Sequence, residues 1–203
     1  MEEKKKRLLR LLLEKSFQYR TDPPFTLASG KKHPCYLDCK PTTHNAEGMA
    51  LIGELVYERV RDLGVQAVGG LTMGADPIAH AAALTSYREG RPVNAFCVRK
   101  TGKDHGIVKD HGVEGDVRPG DRVVILEDVI TTGASTIQAI KAARAFGLEI
   151  LKVVALVDRE DEGQRNIREY VTEVESLFTL GDFLRETGIE IGTEPPGGSG
   201  ECR

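Results

Sequence analysis

The stretch VVILEDVITTGAST, residues 123–136, joins an unbroken apolar run to two adjacent acids and a hydroxyl-rich turn. Val123, Val124, Ile125 and Leu126 predict a parallel strand covered on both faces. Glu127 and Asp128 then stand at its carboxyl end, where ligands gather in open α/β sheets. Thr131, Thr132, Gly133, Ala134 and Ser135 combine hydroxyl donors, small side chains and unobstructed backbone N–H groups, and a helical pattern begins directly after them. A phosphate fits such a helix N-terminus. Capping alone accounts for Thr132 or Ser135. It does not account for paired carboxylates at a buried strand end, which are costly to desolvate without a ligand, metal or cation. No nucleotide fingerprint competes, because Gly69, Gly70 and Gly74 are spaced wrongly for both the P-loop and the dinucleotide turn.

Outward from that stretch, apolar runs at residues 67–71, 93–98 and 150–157 read as further strands. Helical patterns lie between them. One is capped by Asn45 and runs to about Leu63; another starts at residues 74–77 and runs to about Arg88; a third covers 135–146 and is stopped by Gly147. This alternation predicts an α/β fold, a largely parallel central sheet flanked by helices with right-handed crossovers. Residues 21–43, punctuated by Pro23, Pro24, Gly30, Pro34 and Pro41, form an irregular hood outside the alternation, with extended pieces at 25–27 and 35–39. An amphipathic helix with leucines at 8, 9, 11, 12 and 13 precedes it. The expected organisation is one domain: helix and hood over about 1–43, core over about 44–191, and a Gly- and Pro-rich tail over 192–203.

With 203 residues, 40% of them hydrophobic, the chain supports one sizeable core. Twenty-eight basic residues against 31 acidic give a net charge of -3, without the positive excess of a protein that grips polynucleotide phosphates. No nucleic-acid partner is expected. Nor is a membrane one, as no apolar stretch approaches spanning length, and the chain reads as cytoplasmic. Cys35, Cys39, Cys97 and Cys202 are scattered and read as reduced thiols, at intervals that match no zinc pattern.

Residues 99–120 are too long, too charged and too Gly-rich for a plain connector. Arg99, Lys100, Lys103, His105, Lys109 and His111 can neutralise a polyphosphate, while glycines at 102, 106, 112 and 115 permit closure.

The 123–136 motif resembles the phosphoribosyl pyrophosphate signature of the type I phosphoribosyltransferases, whose fold is the one expected here. RKTGKDHG at 99–106 resembles the catalytic loop of the orotate phosphoribosyltransferases within that superfamily. FTLASGKKHPCYLD at 25–38 is similar to their hood segment, and LVDREDEG at 156–163 to their strand-end Asp-Arg. The resemblance implies transfer of ribose 5-phosphate from phosphoribosyl pyrophosphate to orotate, giving orotidine 5'-monophosphate in pyrimidine (UMP) synthesis. It implies that Glu127 and Asp128 hold the ribose, that residues 131–135 hold the 5'-phosphate with Thr131 near the base, and that Arg159 takes the orotate carboxylate while Tyr36 lines the ring's other side. Asp128, Arg99, Lys100, Lys103 and His105 are the implied catalytic residues, the last four reaching a neighbouring subunit's site in a homodimer. Magnesium is the implied cofactor, bound through substrate and not by a protein cage. The alternatives are a relative acting on a purine or another pyrimidine, and a non-catalytic nucleic-acid-binding regulator that keeps the sugar-phosphate site. The chain departs from many relatives at GGLTMGADPIA, residues 69–79, where Met73 and Gly74 replace a Tyr-Lys pair, and at Ala28, where relatives carry lysine. Asp76 is expected to cap the helix that follows, with a contact through metal-bound water as the alternative.

Overall fold

The computed structural model describes residues 1–26, 30, 32–100 and 112–190. Helix α1 (Glu2–Lys15) buries Leu8 and Leu12, one turn apart, and keeps its charged side in solvent. After Ser16 the chain forms β1 (Phe17–Tyr19), β2 (Phe25–Thr26), β3 (Lys32–His33) and β4 (Cys35–Leu37). β1 pairs antiparallel with β4, and β2 with β3, giving two small ribbons that stand apart from the main sheet. The hood is thus more regular than its sequence suggests. Strands of two or three residues are too short to register as periodicity.

Lys40–Thr43 makes the short helix α2, and α3 (Ala46–Val60) follows. Asn45 caps α3 as expected, its side-chain oxygen accepting from the N–H groups of Glu47 and Gly48 at 3.1 Å. β5 (Ala67–Leu71) is buried throughout, and α4 (Asp76–Arg88) leads to β6 (Asn94–Val98). Then come β7 (Val113–Gly115), β8 (Arg122–Ile130), α5 (Ala134–Phe146), β9 (Glu149–Asp158), α6 (Gly163–Arg168), β10 (Val174–Thr179) and α7 (Leu180–Thr187).

The six main strands lie in the order β10-β9-β8-β5-β6-β7, all parallel except β7, which runs antiparallel to β6. The chain leaves β5 outward to β6 and then crosses back to β8, so the winding reverses between β5 and β8. Crevices at such a reversal open at the carboxyl ends of the strands. Here the opening is visible in the pairing: β5 meets β8 from Ala67–Val123 to Gly69–Ile125, while β8 continues along β9 as far as Ile130–Asp158.

Alternation along β8 sends Val124 and Leu126 to one core, shared with α1, α3, α4 and α7, and Val123 and Ile125 to a second core under α5 and α6. Each such buried aliphatic side chain contributes roughly 1.5–3 kcal/mol of transfer free energy. Both faces of the sheet are therefore fixed, and with them the direction of every side chain on β8.

Two expectations need correction. The sequence pattern ends the strand at Leu126, whereas β8 runs four residues further, so Glu127 and Asp128 lie within it. Pairing of Val129 and Ile130 with β9 carries the strand past the acids. Asp76 makes no side-chain cap for α4; its Oδ2 instead accepts the Thr72 hydroxyl at 2.5 Å. At the start of α5 the capping position belongs to Gly133, in the left-handed region at φ 80°, with no side-chain cap. Only glycine adopts that conformation cheaply, and a Cβ there would sit 2.9 Å from the Gly163 carbonyl oxygen.

Candidate active site

A cavity of about 550 Å³ opens at the carboxyl ends of β8 and β9, walled by Tyr36, Asp38 and Lys40 from the hood and α2. Its floor is the sequence motif itself: Glu127, Asp128 and residues 131–136, with Arg159 from the end of β9 opposite.

Because neighbouring strand residues point to opposite faces, the two acids divide the crevice. Glu127 is only 4% exposed and turns toward α5, where its Oε2 accepts the Thr136 hydroxyl at 2.8 Å. Burial, and next the charge of Asp128, push the Glu127 carboxyl up to about 8, against the lowering effect of Thr136. Asp128 turns toward the hood and the turn before α4. Its Oδ1 accepts the Val129 N–H at 2.8 Å, and the Cys39 thiol approaches its carbonyl oxygen at 3.9 Å. A cation or a set of hydroxyl donors placed between these carboxylates relieves their repulsion.

Gly74 has a specific reason to be glycine. A Cβ there would lie 2.7 Å from Asp128 Oδ1. Gly74→Ala is expected to push the Asp128 carboxylate aside, lowering catalytic efficiency about 10- to 100-fold while leaving the melting temperature near wild type. Kinetics beside a thermal melt check this.

Next to the acids, the turn at 131–135 feeds straight into α5, whose first N–H groups lack intrahelical acceptors. Thr132, Ala134 and Ser135 are exposed to the cavity side, and the Thr132 hydroxyl accepts the Ala134 N–H at 3.4 Å. Small side chains and a helix N-terminus make this an anion cradle.

Arg159 supplies the opposite pole. It is 5% exposed, yet its Nη1 reaches only the Cys35 carbonyl oxygen at 3.5 Å, and its Nε lies 3.6 Å from Asp161 Oδ2. Nε and Nη2 have no hydrogen-bond partner among the described residues. A buried guanidinium with unspent donors is expensive unless a planar anion completes it. Tyr36, stacked on Phe25 at 5.4 Å between ring centroids, provides a flat wall nearby.

Residues 43–183 match the phosphoribosyl transferase domain family. The chain is 44% identical to the orotate phosphoribosyltransferase of Aquifex aeolicus over 180 residues, 89% of this chain and 97% of that one. It is 41% identical to that of Sorangium cellulosum over 95% and 96% of the two chains. The chain belongs to the orotate phosphoribosyltransferase family. Among solved structures of that family, the Mycobacterium tuberculosis orotate phosphoribosyltransferase in complex with 5-phospho-alpha-D-ribosyl 1-diphosphate superposes with a TM-score of 0.72. It is 33% identical, over 89% of this chain and 98% of that one.

Of the residues that the orotate phosphoribosyltransferase resemblance singles out, Tyr36, Glu127, Asp128, Thr131, Thr132, Gly133, Ala134, Ser135 and Arg159 all line the one cavity. Arg99 and Lys100 do not line it. The Arg99 Nε pairs with Glu114 Oε1 at 3.0 Å, and the Lys100 carbonyl oxygen accepts from Gln138 Nε2 at 2.9 Å. Lys103 and His105 lie outside the described residues. Sequence reasoning missed Asp38, Lys40 and Thr136. For the first two a signal existed, since they follow Tyr36 at alternate positions on the same hood segment. For Thr136 none did, because its partnership with Glu127 depends on how α5 docks on β8.

Proposed function

We propose that this cavity transfers a ribosyl 5-phosphate from phosphoribosyl pyrophosphate to a ring nitrogen of orotate, releasing pyrophosphate and giving orotidine 5'-monophosphate for pyrimidine nucleotide synthesis. The observation that carries the reading is the polarity of the pocket. A sugar-phosphate cradle at 127–135 faces a buried arginine with two unspent donor nitrogens across a space the size of a nucleotide. Glu127 and Asp128 accept from the ribose hydroxyls and fix the anomeric carbon. The 131–135 turn holds the 5'-phosphate. Arg159 takes the orotate carboxylate bidentately, which points the attacking nitrogen at that carbon, with Tyr36 against the ring. As the bond to pyrophosphate lengthens, positive charge grows on the ribose beside the two carboxylates and is stabilised there.

Magnesium suits this donor set. A hard cation takes oxygen ligands from one or two carboxylates plus substrate phosphates and waters, and the acid pair offers such oxygens. When bound it neutralises charge on the departing pyrophosphate. Hood and core act as one catalytic domain. The active unit in this proposal is a cytoplasmic homodimer whose 99–106 loops cross to the partner's site; that Arg99 and Lys100 stand away from their own chain's cavity supports it. Lys103→Ala is expected to lower turnover about a hundredfold or more with little change in melting temperature. Near-normal turnover in a purified dimeric variant contradicts that role.

Glu127 also sets a pH dependence. In the unliganded protein its carboxyl holds a proton up to about pH 8, above its ordinary 4.5, whereas ribose hydroxyls donate to the ionised form. Binding then expels the proton. Affinity for phosphoribosyl pyrophosphate is expected to climb as pH rises toward 8, by up to about one log unit per pH unit, and to level off above it. Calorimetry on wild type and Glu127→Gln separates this from titration of the substrate's own phosphates, since the variant keeps only the latter.

Base identity is tested by offering orotate, uracil, adenine and hypoxanthine as acceptors. Turnover with a base other than orotate alone removes the assignment. A regulator that binds nucleic acid predicts gel-shift activity with no pyrophosphate release, and the net charge of -3 argues against it.

A further inference from the structure

Lys40 stands at the entrance to α2, and its position is set by Asp38. The Asp38 Oδ1 accepts both the Lys40 backbone N–H and its ammonium, each at 3.1 Å. The carboxylate is therefore held by the main chain, and the ammonium is tethered to it at the cavity wall. The Lys40 side chain is half exposed and lines the same cavity as Asp128. The Asp38 hydrogen bond, and after it the Asp128 and Asp38 charges, hold the ammonium above its ordinary range despite partial burial, so it stays charged throughout neutral pH.

The charges around the cavity make this ammonium consequential. Among the described lining residues, Asp38 and Asp128 carry negative charge, Glu127 adds another once the bound sugar expels its proton, and only Lys40 and Arg159 carry positive charge. Arg159 is buried beneath the base end, tied to the Cys35 carbonyl. A ribosyl diphosphate brought against two or three carboxylates needs compensation at the sugar end as well. Lys40 is the cation placed to give it. An ammonium has three donors, of which Asp38 uses one, and its flexible stem allows the others to follow an oxygen ligand.

We propose that Lys40 is a substrate-binding residue of this site, donating from its ammonium to oxygens of the bound ribosyl diphosphate on the Asp128 side. The assignment rests on the function proposed above for the identity of the sugar substrate, not for that of the base. Asp38 parks the side chain in the unliganded protein and orients it toward the ribose, so little rotamer entropy is lost on binding.

The test is direct calorimetry of phosphoribosyl pyrophosphate with magnesium, without any base, on wild type, Lys40→Gln and Lys40→Arg, with thermal melts alongside. Lys40→Gln is expected to weaken binding about 10- to 100-fold, as for loss of a charge-assisted hydrogen bond, at an unchanged melting temperature. Lys40→Arg recovers most of it. In steady state the KM for the sugar substrate rises more than that for orotate. Equal affinity in Lys40→Gln and wild type, a loss that Lys40→Arg does not reverse, or a rise confined to the orotate KM overturns the proposal. Wild type that binds the sugar diphosphate but leaves orotate unreacted sinks the assignment of the base and leaves Lys40 in place.

Discussion

Arg159→Met is expected to lower kcat/KM for orotate about 10²- to 10⁴-fold, the loss of two charge-assisted hydrogen bonds at roughly 1.5–3 kcal/mol each. The same substitution is expected to leave the unliganded protein at least as stable as wild type. The guanidinium is buried with two nitrogens that make no hydrogen bond among the described residues, and an apolar side chain of similar volume removes a desolvated charge at the loss of only the 3.6 Å ion pair to Asp161. A group whose removal destroys activity without destabilising the fold is held there for its ligand. Uracil, which lacks the carboxylate, sharpens the measurement. Wild type is expected to discriminate strongly against it, and Arg159→Met to lose most of that discrimination while gaining little toward uracil itself. Parallel kinetics with the two bases and a thermal melt check all three statements. A variant that keeps its orotate preference places the carboxylate elsewhere.

Asp128→Asn is the second large effect. The amide keeps the shape of the side chain but cannot accept from two hydroxyls or stabilise positive charge on the ribose, and catalytic efficiency is expected to fall about 10²- to 10³-fold. Its effect on the fold has the opposite sign. The Asp128 charge is, after burial, the main reason that the Glu127 carboxyl is pushed up to about 8, so removing it relieves repulsion and lowers the Glu127 value toward its ordinary 4.5. A carboxyl raised in the folded state favours folding at low pH, and that contribution is lost as pH rises from 4.5 toward 8, at no more than about 1.4 kcal/mol per pH unit. Unliganded wild type is therefore expected to lose stability across this window, and Asp128→Asn to lose less. Chemical denaturation at pH 5 and pH 8 measures the difference. If the two acids hold one ribose as proposed, the double variant with Glu127→Gln is expected to cost less than the sum of the single losses.

Much of this site is legible in the chain because its parts are local. The acids, the turn and the helix start lie within fourteen consecutive residues, and β-strand alternation with helix N-terminal chemistry interprets them without tertiary information. β5 is likewise announced by its own apolar run, with the predicted and observed bounds agreeing at Ala67–Leu71. What eluded the sequence is what depends on pairing. β8 outlasts the apolar run because β9 supports Val129 and Ile130. β7 forms inside a charged loop because β6 offers it an antiparallel edge. Asp76 serves Thr72 and leaves α4 uncapped, a choice set by how the turn folds over the ends of β5 and β6. α6, β10 and α7 drew no expectation, although the Thr179 and Asp182 capping box marks the start of α7 in the sequence. For Lys40 the alternate spacing after Tyr36 was a local signal, but its approach to Asp128 depends on how the hood docks on the core.

In the proposed function one cavity joins a sugar-phosphate cradle to an arginine that selects orotate. It is tested most directly by mixing the protein with orotate, phosphoribosyl pyrophosphate and magnesium and following the orotate absorbance while pyrophosphate is assayed. Loss of orotate matched one for one by pyrophosphate released is expected. A flat trace from folded protein contradicts it.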